Sequence, residues 1–345
     1  MKDLLVPFTQ VMTMKNNFQA LLQCFFVDRL ISQQQVSPDT VRSYRDTFRI
    51  LLKYLRDEKN ISSTCLTFEM LDVTLIIDFL KYLKETRGNS NKTVNNRLAA
   101  IHSFFQYVSY ENPEHISIIQ KVMKIPFKRI EKKTVDFLTE EEMTLLVNSC
   151  DSSNFQGRRD RLIVVLLYNT GMRVSELVSL KRRDVHLDAS QSGTIHIFGK
   201  GRKERIIPIW KITSSYLREY FKENSFRNDD YIFVSTKGGQ MTRSGVRYRL
   251  DLLLDKASQS CSTFSVKKLT PHTLRHTTAI RLLQSGVDLS TIAIWLGHEN
   301  VNTTHQYMEA DLRLKEKALS QTKEPTTENY FYKPSKDILS FLDSL

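Results

Sequence analysis

The stretch LTPHTLRHTTAIRLLQSG, residues 269–286, places His272, Arg275 and His276 in the opening turns of one expected helix. Basic side chains this close together repel unless something negative sits in front of them. Thr270 is suited to cap the helix, and Pro271 to its first position, where a missing N–H costs nothing. Leu274, Ile280, Leu282, Leu283 and Val287 supply an apolar face, and Gly286 is a natural stop. His272 and Arg275 then share one face at the positive end of the helix. Free N–H groups, the helix dipole and a forked guanidinium together favour an oxyanion, phosphate first. The plainer reading is a capped helix with a solvated basic end.

Three further stretches carry residues of the same kind. In YNTGMRVSELVSLKRRDV, Gly171 ends one helix and Arg173 opens the next. Glu176 follows one turn on and is placed to hold the Arg173 guanidinium; an ordinary surface ion pair reads the same way and is worth little. In GKGRK, between TIHIF and ERIIPI, Lys200, Arg202 and Lys203 sit at the tip of an expected β-hairpin, whose plainer reading is a solvated turn. In LSTIAIWLGHENVNTTHQYM a helix ends at Gly297, His298 follows at once, and Tyr307 lies nine residues after His298. Taken alone, Tyr307 reads as a packed aromatic.

These residues need a frame. The first part of the chain reads as a unit of four or five helices, beginning with one over about residues 18–33. VSPDTVRSYRDTFRILLKYLRDE starts at Ser37 as N-cap with Pro38 behind it, and keeps Val41, Tyr44, Phe48, Leu51, Leu52 and Leu55 at helical spacing. FEMLDVTLIIDFLKYLKETRG gives another helix, ending at Gly88. NKTVNNRLAAIHSFFQYVSYENP gives a third, apolar at Val94, Leu98, Ile101, Phe105 and Val108. Its other face carries Lys92, Asn95, Asn96, His102 and Gln106, a mix suited to a DNA groove or to plain solvation. Arg42 and Arg97 join Lys92, Asn95, Asn96, His102, Arg202 and Lys203 as candidate DNA contacts.

IPFKRIEKKTVDF is a basic, weakly periodic connector. The expected division is a helical DNA-binding domain over 1–125, a linker over 126–137, a second domain over 138–322 and a tail over 323–345. LTEEEMTLLVNSC restarts helix with Thr139 and Glu142 as a capping box. GRRDRLIVVLLYNTG is a buried helix ended by Gly171. Helices return after the hairpin from about Ser244. The tail pairs a polar linker with an apolar face of Ile338, Leu339, Phe341, Leu342 and Leu345.

The chain has 345 residues, enough for two domains with real cores, and a formal net charge of +12. That charge points to a polyanion, nucleic acid before an anionic membrane. The longest apolar run, LIVVLLY, is far too short to span a bilayer, and the N-terminal residues lack the apolar core of a signal peptide. Cys24, Cys65, Cys150 and Cys261 are scattered, with no C-x-x-C, as in a reducing cytoplasm. No carboxylate cluster accompanies the basic residues, which disfavours a metal-dependent nuclease.

The order Arg, Lys, His-x-x-Arg, His, Tyr resembles the tyrosine recombinase family, which includes phage integrases, Xer-type recombinases and transposon integrases. TGMRVSEL, GKGRKER, PHTLRHT, LGH and the downstream Tyr307 carry the resemblance through the second domain, and SPDTVRSYRDTFRILLKYL resembles the family's core-binding domain. The resemblance implies a mostly α protein with a small antiparallel β-sheet. A helical, SAM-like core-binding domain and an α+β catalytic domain would form a C-shaped clamp on double-stranded DNA. It implies Arg173, Lys200, His272, Arg275, His298 and the nucleophile Tyr307 as catalytic residues, Glu176 as support, and neither cofactor nor metal. It also implies a monomer off DNA, a tetramer in synapsis with a trans-docking tail, and companion recombinases in some systems. A cytoplasmic protein of a mobile element fits best, ahead of Xer-type chromosome or plasmid dimer resolution. A type IB topoisomerase and a non-enzymatic DNA-binding regulator are the alternatives.

Overall fold

The computed structural model describes residues 18–130, 136–188, 192–199, 204–236, 238–265 and 267–298, with Thr304 and Leu342. Lys200, Arg202, Lys203, Tyr307 and the tail apart from Leu342 lie outside the described residues. The chain divides into two compact units, Met1–Lys132 and Lys133–Leu345. Among the described residues no helix is long and apolar enough to cross a membrane.

The first unit is helical. Helix α1 (Phe18–Cys24) continues as a π-helical stretch, Phe25–Gln33, where the sequence pattern predicts one uninterrupted α-helix. The wider π repeat brings residues five apart towards one face, and Phe25 and Leu30 are both fully buried. α2 (Pro38–Lys59) is capped by Ser37, whose Oγ accepts from Thr40 N–H at 3.3 Å. α3 (Val73–Glu85), capped by Asp72, begins later than the sequence pattern suggests, since Phe68 and Leu71 are buried in the turns before it. α4 (Asn91–Glu111) and α5 (Ile116–Met123) complete the unit. Phe104 of α4 is at its centre, edge-on to Phe18, Phe25 and Phe48 with centroids 5.2–5.7 Å apart. Such contacts add to apolar burial and fix orientation.

The polar face of α4 is not uniform. Asn95 is buried, donates to Lys128 O at 2.8 Å and accepts from Lys128 N–H at 2.9 Å. Its amide replaces a strand partner for the passing backbone, so Asn95 leaves the expected groove-facing set. His102 is half-buried, with Nε2 3.1 Å from Val122 O and its ring against Phe127. Residues up to Lys128 and Arg129 are thus pinned to α4 and are not free linker. Lys92 and Asn96 are exposed and Arg97 is half-buried; Arg42 is exposed and paired with Asp39 at 2.5 Å.

The second unit begins with α6 (Glu140–Asn148), whose Thr139–Glu142 capping box forms as expected. α7 (Phe155–Thr170) is buried almost all round from Leu162 to Leu167 and ends at Gly171. α8 (Val174–Ser179) leads to an antiparallel sheet of β1 (Val185–Leu187), β2 (Gly193–Phe198) and β3 (Glu204–Ile209), in that order. The hairpin register pairs Gly193 with Ile209 and Phe198 with Glu204. β1 has only three residues, too few to show alternation in sequence. α9 (Lys211–Glu223) follows at once, earlier than the expected return to helix. Its N-cap, Trp210, offers no capping side chain, and Thr213 and Ser214 occupy buried positions, so both helix signals are weak there. α10 (Arg243–Ser258), α11 (Pro271–Gln284) and α12 (Leu289–Leu296) complete the described part. α11 packs on α7, and α12 packs on α11 and β3.

Glu142 does more than cap α6. Its buried carboxylate takes Lys267 Nζ at 2.6 and 2.8 Å and the Thr263 hydroxyl at 2.7 Å. Burial raises its pKa, but the bonds from Lys267, Thr139 and Thr263 outweigh burial and hold it below the ordinary carboxylate value. A depressed native pKa stabilises the fold above the unfolded pKa, and the gain is lost as pH falls through the native one. Glu142→Gln is therefore expected to cost about 1–3 kcal/mol at pH 7. Urea unfolding at pH 7 and at pH 3 checks this: the gap between variant and parent should narrow at pH 3.

Candidate active site

Two helix ends build the site. α7 stops at Gly171 (φ +61°) and α12 stops at Gly297 (φ +65°), both left-handed. The two turns lie against each other: a Cβ at Gly171 would come within 2.4 Å of Leu296 Cδ2 and 3.3 Å of Thr278 Cγ2. Gly171→Ala is expected to destabilise by about 2 kcal/mol or more, from left-handed strain and overpacking together. It should also slow DNA cleavage; a variant with parental melting temperature and rate would contradict this role for the turn.

Arg275 emerges from the first turns of α11, where Thr270 Oγ1 accepts from Thr273 N–H at 2.9 Å. Its side chain is buried and donates through Nη1 to Gly171 O at 2.6 Å and through Nη2 to Leu296 O at 2.7 Å. Arg173 precedes α8 and is about one-third exposed. It donates through Nη2 to Gly297 O at 2.9 Å and through Nη1 to Glu176 Oε1 at 3.0 Å. Adjacent carbonyls, 296 and 297, therefore hold the two guanidinium groups side by side. Fixed cations held at the mouth of two helix ends are suited to the non-bridging oxygens of a phosphodiester.

Glu176 is buried, which sets it apart from the surface ion pair that its spacing alone allows. Burial raises its pKa, but the bonds and charges of Arg205 and Arg173 outweigh that and keep it below the ordinary value. Arg205, on β3, has no place among the residues singled out in the sequence. Nη2 reaches Glu176 Oε2 at 2.7 Å, and Nη1 reaches Oε1 at 3.3 Å. Its signal was present: a charged residue in ERIIPI, at a position whose alternation with Ile207 and Ile209 faces inward.

His298 follows Gly297, with Nδ1 2.8 Å from Thr304 Oγ1. Burial, then Arg275 and Arg173, push its pKa down to about 4. His276 is likewise pushed down to about 4 by burial, then by His272 and Arg275. Both rings are neutral at pH 7, so they offer hydrogen bonds without adding charge to a cationic site. His272 is exposed at the start of α11, its ring centroid 6.3 Å from that of His276. The structure thus brings together Arg173, Glu176, Arg275 and His298, with His272 on the same helix as Arg275. Lys200 and Tyr307 fall outside the described residues, though the strands that carry the Lys200 turn are in place.

The phage integrase family model matches residues 136–313, and the phage integrase N-terminal SAM-like domain matches residues 25–112. The chain is 41% identical over 334 residues, 97% of its length, to the whole of a Sinorhizobium fredii protein named as an integrase/recombinase, y4rC. The chain belongs to the phage integrase family. It is 33% identical over 292 residues to the tyrosine recombinase XerC of Staphylococcus epidermidis, covering 83% of this chain and 91% of that one. Among solved structures it resembles the XerH site-specific recombinase bound to difH in a pre-cleavage complex. That match has a TM-score of 0.62 at 25% identity and covers 81% of this chain and 79% of the other. The Tn1549 transposon integrase in complex with a circular intermediate DNA shares the fold, with a TM-score of 0.67 at 19% identity over 88% of this chain and 99% of that one. This integrase-family chain is a site-specific DNA recombinase, and its mostly helical fold with a small antiparallel sheet is that of the tyrosine recombinases. The relatives favour neither DNA relaxation nor a purely regulatory protein.

Proposed function

We propose that this recombinase cuts and rejoins double-stranded DNA through a 3′-phosphotyrosyl bond formed by Tyr307. The observation that carries the reading is the pair of guanidinium groups, Arg173 and Arg275, held by adjacent carbonyls beside the neutral ring of His298. In the proposed step the Tyr307 oxygen attacks phosphorus as the bond to the 5′-oxygen breaks. His272 takes the tyrosine proton, and Lys200 gives a proton to the departing 5′-oxygen, which leaves as a hydroxyl. The arginines neutralise charge gathering on the non-bridging oxygens, and the neutral His298 ring contributes a hydrogen bond. Glu176 holds Arg173 and moves no proton. The covalent bond stores the energy of the broken one, so resealing is the reverse reaction with the 5′-hydroxyl of another strand and needs no nucleotide cofactor.

The two units are proposed to close around one duplex, with Lys92, Asn96 and Arg42 supplying contacts from the first, and Arg202 and Lys203 from the hairpin tip. Monomers in the cytoplasm would assemble as four protomers on two sites, with the tail docking in trans. Similarity to y4rC and to a transposon integrase supports a mobile element as the setting, with or without companion recombinases.

Covalent-adduct capture tests the reading. The protein is expressed with its native flanking DNA, protein-linked DNA is isolated in EDTA, and the attached ends are sequenced. Adducts at one short site are expected. Adducts spread over many sequences would favour a relaxing enzyme, and no adduct beside intact DNA binding would remove the cleavage step.

A further inference from the structure

Helix α12 ends in three consecutive carbonyls, and each accepts from a different arginine. Trp295 O takes Arg205 Nε at 2.9 Å, Leu296 O takes Arg275 Nη2 at 2.7 Å, and Gly297 O takes Arg173 Nη2 at 2.9 Å. These carbonyls lie at the negative end of the helix, which attracts cations. Glu176 adds a carboxylate to this group, shared by Arg173 and Arg205. Arg205 holds both supports of Arg173. Its fork spans the two Glu176 oxygens, and its Nε ties down the carbonyl two residues before Gly297. The Arg205 side chain is 9% exposed and lies flat under Gly297, where a Cβ would meet Nη1 at 3.0 Å. It therefore stands behind the pair and does not itself open to the phosphate.

We propose that Arg205 is a positioning residue: it sets the orientation of the Arg173 guanidinium by locking Glu176 and the end of α12 together. This rests on the reading of Arg173 and Arg275 as the phosphate clamp. Arg205 is also five residues beyond Lys200, opposite Ile197 in the second pair below the hairpin turn. A shift of that strand reaches Arg173 through two hydrogen bonds, so hairpin and clamp are set as one piece. Lysine does not substitute, because an ammonium cannot span Glu176 and Trp295 O with a planar fork.

The test uses the full-length chain and a duplex carrying the site found by adduct sequencing, with DNA affinity, melting temperature and single-turnover cleavage measured together. Arg205→Gln is expected to slow cleavage about a hundredfold while DNA affinity changes less than about threefold. Arg205→Lys is expected to fall between, about tenfold slow. On a duplex whose scissile phosphate carries a methylphosphonate, one negative charge is gone and the clamp matters less. The Arg205→Gln deficit should then shrink to below about tenfold, which a merely loosened fold would not produce. An equal deficit on both substrates, or a folded Arg205→Lys that cleaves like the parent, overturns the proposal. If Arg205→Gln does not fold, the Arg205→Lys comparison on the two substrates decides it alone. Arg173→Ala is the control: should it cleave normally, the phosphate-clamp reading itself is wrong, independently of Arg205.

Discussion

Tyr307→Phe is expected to abolish the protein–DNA adduct, lowering single-strand cleavage by more than about 10⁴-fold while leaving DNA affinity within about twofold. The substitution removes one oxygen and keeps the ring, so it takes away the proposed nucleophile and little else. A free phenol has a pKa of about 10 and needs the cationic site to ionise. Tyr330 and Tyr332 lie more than twenty residues further along the chain, and His305 sits beside Tyr307 in sequence. Denaturing gels of the trapped complex, followed by peptide mapping of the adduct, provide the check. An adduct of normal yield on the variant would assign the nucleophile to one of those residues instead.

Arg275→Lys should have the next largest effect, slowing cleavage by about 10²–10³-fold. The parent side chain bridges two elements, donating to Gly171 O and Leu296 O from opposite ends of one planar group. A lysine reaches one of these at most, leaving a buried carbonyl without a donor at a cost of about 1–3 kcal/mol. The melting temperature is therefore expected to fall together with the rate. Calorimetry beside single-turnover kinetics separates the two, since the loss of rate should persist well below the melting range. A variant that loses stability but cleaves at the parental rate would demote Arg275 to a structural strut.

Much of this site was legible in the sequence because it depends on local grammar. Gly171 and Gly297 mark helix ends by their residue type, Thr270 and Pro271 announce α11, and the His-x-x-Arg spacing puts two basic groups on one face. What bonds to what across the fold was not legible. Nothing in TGMRVSEL says that Glu176 is buried, and nothing in LGH says that its leucine and glycine carbonyls hold guanidinium groups. Arg205 was missed for that reason: its partners are a carboxylate on α8 and a carbonyl on α12. The polar face of α4 misled in the opposite direction. Asn95 carries the right chemistry for a groove, yet its amide is satisfied by the backbone of Lys128, 33 residues away. β1 and α9 escaped because one is too short to alternate and the other begins without a capping side chain.

The bonds that hold the arginines join distant parts of the chain: 124 residues separate Arg173 from Gly297, 104 separate Gly171 from Arg275, and 90 separate Arg205 from Trp295. Closing loops of this length is among the slowest and least local steps in reaching a native structure. A chain still being synthesised, with its last third missing, has Arg173 with Glu176 and Arg205 behind it, but neither Arg275 nor the α12 carbonyls that complete the clamp. Tyr307, the proposed nucleophile, comes only ten residues after Gly297, so it is made after the end of the helix that completes the clamp. A copy that stops before the end of α12 thus lacks the completed clamp and the proposed nucleophile alike, and a fragment cut between the TGMR turn and α12 is expected to leave DNA uncut.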